Sequence, residues 1–164
     1  MFTFFQSNHT HNAHKKPTEF HPAPLAVKAA QDARFLAPYV TKAQAAVIAD
    51  AMNGENKERV MTQIISTANV IETMAISPEQ AGLDDRATVY LHYTLRNWHW
   101  YITERGDSDD YNKVFGYVML IGGRHERANF RAISIKELIA HGCTLDFAFV
   151  PCSLVDVKQL YRAH

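Results

Sequence analysis

Two runs decide the fold: Val89-Tyr90-Leu91-His92-Tyr93-Thr94, and Trp98-His99-Trp100-Tyr101-Ile102-Thr103, separated by a turn near Arg96-Asn97. In the first, Val89, Leu91 and Tyr93 alternate with Tyr90, His92 and Thr94; in the second, Trp98, Trp100 and Ile102 alternate with His99, Tyr101 and Thr103. Side chains of a strand point to opposite faces in turn, so a period of two predicts two half-buried strands joined as a hairpin.

Downstream, the polar stretch Gly106 to Asn112 leads into the nearly unbroken apolar run Val114 to Ile121, as a strand covered on both faces requires. Gly122-Gly123 turns the chain, and Ala128, Phe130 and Ala132 alternate with Arg127, Asn129 and Arg131 in a fourth strand placed near an edge. Ser134 with Glu137 has capping-box spacing and opens a short helix that stops at Gly142. Leu145 to Val150 reads as a fifth strand ended by Pro151, and Ser153 with Asp156 caps a last helix carrying Leu154, Val157, Leu160 and Tyr161 on one face.

Upstream the period is helical. Leu25 to about Leu36 predicts a helix stopped by Pro38, and Thr41 with Gln44 predicts a capped helix that ends at Asn53-Gly54. Val60, Met61, Ile64, Ala68, Ile71 and Ala75 predict a further helix over residues 55–75, in an antiparallel hairpin with the one before it. Ser77-Pro78-Glu79-Gln80 predicts a turn or two of helix ended at Gly82. Helices followed by strands argue for an α+β fold: an N-terminal helical hairpin packed on an antiparallel meander of about five strands, with two short C-terminal helices. The organisation expected is a mobile His- and Pro-containing arm over 1–24, a helical subdomain over 25–86 and the α+β module over 87–164.

The chain has 164 residues, 47% of them hydrophobic and 21% charged, which suits an ordinary globular core. Lys plus Arg equals Asp plus Glu at 17 each, so no bulk positive field draws it to a phosphate backbone or an anionic membrane. No stretch approaches the ~20 apolar residues of a membrane helix, and the apolar start Met1 to Gln6 has no basic flank, so a cytoplasmic location is expected. Cys143 and Cys152 fit neither a disulfide framework nor a zinc spacing and read as reduced thiols.

The block Trp98-His99-Trp100-Tyr101-Ile102-Thr103-Glu104, followed by Val114-Phe115-Gly116-Tyr117-Val118, resembles the core signature of the bacterial domain of unknown function 2958 family. The resemblance continues through Ile133-Ser134-Ile135-Lys136-Glu137-Leu138 and Leu145-Asp146-Phe147, with Phe149 and Pro151, to near Val157, and so spans roughly residues 88–157. Thr41 to Gly54 carries a weaker likeness. The chain departs from the family pattern at Phe130-Arg131-Ala132-Ile133, where members have a Glu-Leu-Gly-Tyr run, and in its helix over 55–75. The resemblance implies a protein of plasmids, integrative elements and phages, with no catalytic mechanism attached. Accessory proteins in that setting counter host defence or tune plasmid maintenance by binding other proteins.

Candidate sites are few. His9, His11 and His14 crowd the N-terminal arm, but no carboxylate or thiolate accompanies them at ligand spacing, and no metal is expected. Tyr90, His92, His99 and Tyr101 share one strand face; packing beneath the helical hairpin is favoured over a His/Tyr enzyme site, because no second group or pocket is evident. Asp107, Asp109 and Asp110 fail the calcium-loop pattern, since Asn112 and Val118 stand where its glycine and glutamate belong. Arg124, Arg127 and Arg131, with His125, place positive charge along a sheet edge that also holds Glu126. His141, Cys143 and Asp146 carry no nucleophile motif, and no phosphate loop or cofactor fingerprint is present, so no cofactor is expected.

The function expected is that of a non-catalytic interaction protein of a mobile element, countering a host defence system by binding a host or plasmid protein through the Tyr90, His92, His99 and Tyr101 sheet face, the Arg124, Arg127 and Arg131 edge or the helical hairpin. The rivals are a nucleic-acid-binding accessory protein using the arginine edge and a small enzyme using His92 or His99 with Tyr101. A second copy of the chain is the other partner weighed.

Overall fold

The structure is a computed structural model and describes residues 24–107, 112–122 and 128–162. The arm with His9, His11 and His14, and the residues Asp109, Asp110, Arg124, His125, Glu126 and Arg127, lie outside the described residues. The fold is α+β, with helices in the N-terminal half, a five-stranded antiparallel sheet and short C-terminal helices. Among the described residues, no helix is long and apolar enough to cross a membrane.

Three helices come first: α1 (Leu25–Phe35), α2 (Lys42–Ala51) and α3 (Lys57–Thr73). Pro38 ends α1 as expected, and the chain takes a short 3-10 turn over Ala37–Tyr39. Thr41 caps α2 by accepting from the Gln44 N–H at 3.1 Å. The reciprocal half of the capping box is absent: the Gln44 amide turns away and pairs with the backbone of Leu145. α2 and α3 are consecutive, but α3 packs chiefly on α1, and α2 buries no residue completely. Residues 77–82 form turns rather than helix, because the Gln80 side chain is spent elsewhere. Its amide accepts from Thr88 N at 2.6 Å and donates to Thr88 O at 3.0 Å and Thr103 O at 2.5 Å.

The strands are β1 (Thr88–Val89), β2 (Leu91–Leu95), β3 (Trp98–Arg105), β4 (Lys113–Leu120), β5 (Ala128–Ser134), β6 (Thr144–Leu145) and β7 (Cys152–Ser153). The main sheet runs β5-β4-β3-β2-β6, a meander with β6 returned to the far edge, and β1 pairs with β7 in a separate ladder. The β2–β3 hairpin turns at Arg96, whose φ of 55° is left-handed, and pairs Leu95 with Trp98. β5 lies on an edge as expected. The expected fifth strand over 145–150 shrinks to Thr144–Leu145, because Asp146 Oδ1 accepts from Ala148 N at 2.9 Å and folds the chain into a turn.

Two cores flank the sheet. On one face Leu91, Tyr93, Ile102, Val118, Ile133 and Leu145 meet Leu36, Ile64, Ala68 and Ile71 of the N-terminal helices and Leu138 of α4 (Ile135–Ala140). On the other, Tyr101, Tyr117 and Met119 meet Leu154 and Val157 of α5 (Leu154–Arg162). The chain rotates at Tyr90, between β1 and β2, so Val89 belongs to the second core and Tyr90 packs against the first. The His92, His99 and Tyr101 face is therefore covered by α5 and Phe149, not by the helical hairpin, and Tyr90 is not part of it. Alternation separates two faces but does not say which helix covers each.

Candidate functional site

The helix-side face is not fully covered. α4 is capped by Ser134, which accepts from the Glu137 N–H at 3.1 Å, and is only 6 residues long. Trp98, beside that turn, is left 38% exposed, and Trp100 is half-buried next to it with ring centroids 6.2 Å apart. A groove of about 390 Å³ opens between them and α4. Its floor is Trp98, Trp100, Val118 and Ile133, and its rim includes Arg131 of β5 with Glu137 and His141 of α4. The His141 Nδ1–H donates to Glu137 O at 2.7 Å, which fixes the tautomer and leaves Nε2 as the other polar atom of the ring. An aromatic platform with one cationic and one anionic rim group can stack a flat or apolar moiety and orient it by charge. Of the predicted arginine edge, Arg131 is placed at this groove.

The opposite face carries a hydrogen-bonded chain. His92, 8% exposed, donates from Nδ1 to Asp146 Oδ2 at 3.1 Å, and its Nε2 lies 2.9 Å from His99 Nδ1. With the Nδ1 proton held by the carboxylate, Nε2 of His92 accepts from the Nδ1–H of His99, which leaves Nε2 of His99 basic. Burial lowers the His92 pKa, opposed by the hydrogen bond and charge of Asp146, and burial with the neighbouring His92 lowers that of His99. Tyr101 stacks on His92 with centroids 4.6 Å apart, and its hydroxyl meets that of Tyr161 at 2.7 Å. Burial first, and the Tyr161 hydrogen bond second, raise the Tyr101 pKa above its ordinary value. The rings of Phe149 and Tyr161 tilt against these histidines, at 5.5 Å from His92 and from His99 respectively. The arrangement can relay a proton between His99 and Asp146, but both nitrogens of His92 are already engaged within the protein.

Asp146 was not legible as the partner of His92. The signal lies in the sheet order: β6 pairs Tyr93 with Leu145 and so brings Asp146 beside His92. Cys143 is buried, and burial raises its thiol pKa; His141 lies in the groove rim and not with Asp146. Among the described residues no group of three or more His, Cys, Asp or Glu side chains could hold a metal ion. No family model, curated protein or solved structure matches the chain, so the likeness to the domain of unknown function 2958 family rests on the quoted residues alone.

Proposed function

We propose that this chain is a binding protein that holds a segment of a partner protein in the Trp98–Trp100 groove. The observation that carries the reading is Trp98, a large aromatic ring left 38% exposed on the floor of an open groove with opposite charges on its rim. Exposed tryptophan beside arginine is the composition of interface hot spots. The segment that fits presents an apolar or aromatic anchor to the two indoles and a carboxylate to Arg131. The resemblance adds a setting, a mobile element whose partner belongs to host defence, and that setting is part of the proposal.

Nucleic acid is the second reading, because a base can stack on Trp98 with its phosphate near Arg131. The balance of 17 basic against 17 acidic residues opposes it. Tagged wild-type protein, Trp98→Ala, Arg131→Ala and a control at another exposed apolar site, Val150→Ser, tested by affinity capture with and without nuclease, decide between them. The reading expects one stoichiometric, nuclease-resistant protein whose recovery falls roughly tenfold or more in Trp98→Ala and is unchanged in the control. Loss of all captured material to nuclease would put nucleic acid in its place, and equal recovery by Trp98→Ala would remove the groove from the function.

A further inference from the structure

A second cleft, on the other side of the sheet, presents a buried carboxylate without a cation. β3 carries a bulge between Ile102 and Glu104, which shifts the register so that Glu104 pairs with Phe115. The bulge turns Glu104 inward, where it is 3% exposed. Its Oε1 accepts from the Gln80 N–H. No other described group bonds the carboxylate, and no Lys or Arg among the described residues pairs with it. Glu104 lines a cleft of about 360 Å³ under the 77–87 turns. Phe115 and Phe130, nearly parallel at 7° with centroids 6.0 Å apart, form its apolar wall, and Ser77 and Asp84 lie on its border.

Each feature asks for the same ligand. A buried carboxylate satisfied by one amide is costly unless a cation completes it, and Asp84 adds negative charge to the same space. Two flat phenyl rings favour a planar cation over a compact ammonium, because a guanidinium stacks on an aromatic face while its N–H groups reach a carboxylate in the same plane. We infer that this cleft binds a guanidinium group, with Glu104 as its anion and Phe115 and Phe130 as its stacking wall. The inference stands independently of the Trp98 groove. The guanidinium can come from an arginine side chain of another protein or from a small guanidino metabolite.

The test is titration of the isotope-labelled full chain, read at the backbone amide of Gln80, with three probes: Nα-acetyl-arginine methylamide, agmatine and Nα-acetyl-citrulline methylamide. Citrulline keeps the shape and loses the charge. Saturable shifts of Gln80 with the arginine probe are expected, with citrulline weaker by about ten- to a hundredfold, the range of a charge-assisted hydrogen bond. Glu104→Gln, which keeps an acceptor for the Gln80 amide, should weaken the arginine probe by a similar factor. Tighter binding of the acetylated amide than of agmatine assigns the site to a protein arginine, and the reverse assigns it to a metabolite. Equal binding of arginine and citrulline by the wild type, or no shift at Gln80 with either cation, overturns the inference even if Glu104→Gln fails to fold.

Discussion

The side chain of Gln44 and the backbone of Leu145 pair as two strands would: Gln44 Nε2 donates to Leu145 O at 2.6 Å, and Leu145 N donates to Gln44 Oε1 at 3.1 Å. One amide thus closes the β6 edge of the sheet and fixes α2, a helix with no completely buried residue of its own. Gln44→Ala removes both bonds and leaves the Leu145 groups unsatisfied. The expected loss is about 1–3 kcal/mol of unfolding free energy, measured by urea denaturation. Gln44→Glu keeps the acceptor, cannot donate, and should fall between the two.

Gly116 has no room for a side chain. It pairs with Ile102 at the start of the β3 bulge, and a Cβ there would lie well inside van der Waals contact of Tyr101 O and 3.0 Å from Ile102 Cα. Both obstacles are backbone, so nothing flexible can give way. Gly116→Ala should destabilise by more than about 3 kcal/mol or abolish folding, seen as loss of the cooperative melt in circular dichroism. A variant that melts like the wild type would show that the strands separate there at little cost.

Acid should loosen the histidine face. Folding lowers the pKa of both His92 and His99 from the usual 6.5, so the unfolded chain binds more protons below that value. Their contribution is complete above pH 6.5 and is lost as the pH falls through the folded values. The urea midpoint should therefore drop between about pH 7.5 and about pH 5, and less so in His99→Gln. Asp146→Asn keeps an acceptor for His92 but removes the carboxylate charge that helps to raise its value, and should move its NMR titration to still lower pH.

Both thiols should be slow. Cys143 is 1% exposed, and burial raises its pKa; burial and then Asp156 raise that of Cys152. Neutral-pH labelling with a maleimide should be fast only in denaturant, with Cys152, half-buried in β7, reacting first. Rapid labelling of Cys143 in the native protein would mean that the Trp98 groove, which Cys143 lines, opens to admit the reagent.

The strands of the meander were legible because three alternate over five or more residues and the Val114 to Ile121 strand is a nearly unbroken apolar run, and the caps at Thr41, Ser134 and Ser153 were legible because the hydroxyl and its amide lie three positions apart. What failed to show depends on long-range partners. Gln44 and Gln80 have the spacing of helix caps, yet each satisfies a distant backbone, and the helix expected after Ser77 gives way to that use. Likewise, the choice of α5 over the N-terminal helices to cover His92 follows from the return of β7 to β1, which no local pattern encodes. Trp98 could be placed on a face from its alternation, but its exposure depends on which distant elements cover that face.

That return has a kinetic consequence. The β1–β7 ladder joins Thr88 to Ser153 and Val89 to Cys152, with the whole meander lying between them in the chain. The ladder itself supplies only two residue pairs to a very long loop, the rest of the closure coming from the packing of Leu154 and Val157, so it gains little until the intervening strands have collapsed. The ladder is therefore expected to assemble late and to open early, together with α5, which begins at the residue after β7. Native-state hydrogen exchange will therefore find the C-terminal segment released as a unit, baring the Tyr101 and Tyr117 rings while the five-stranded sheet stays whole.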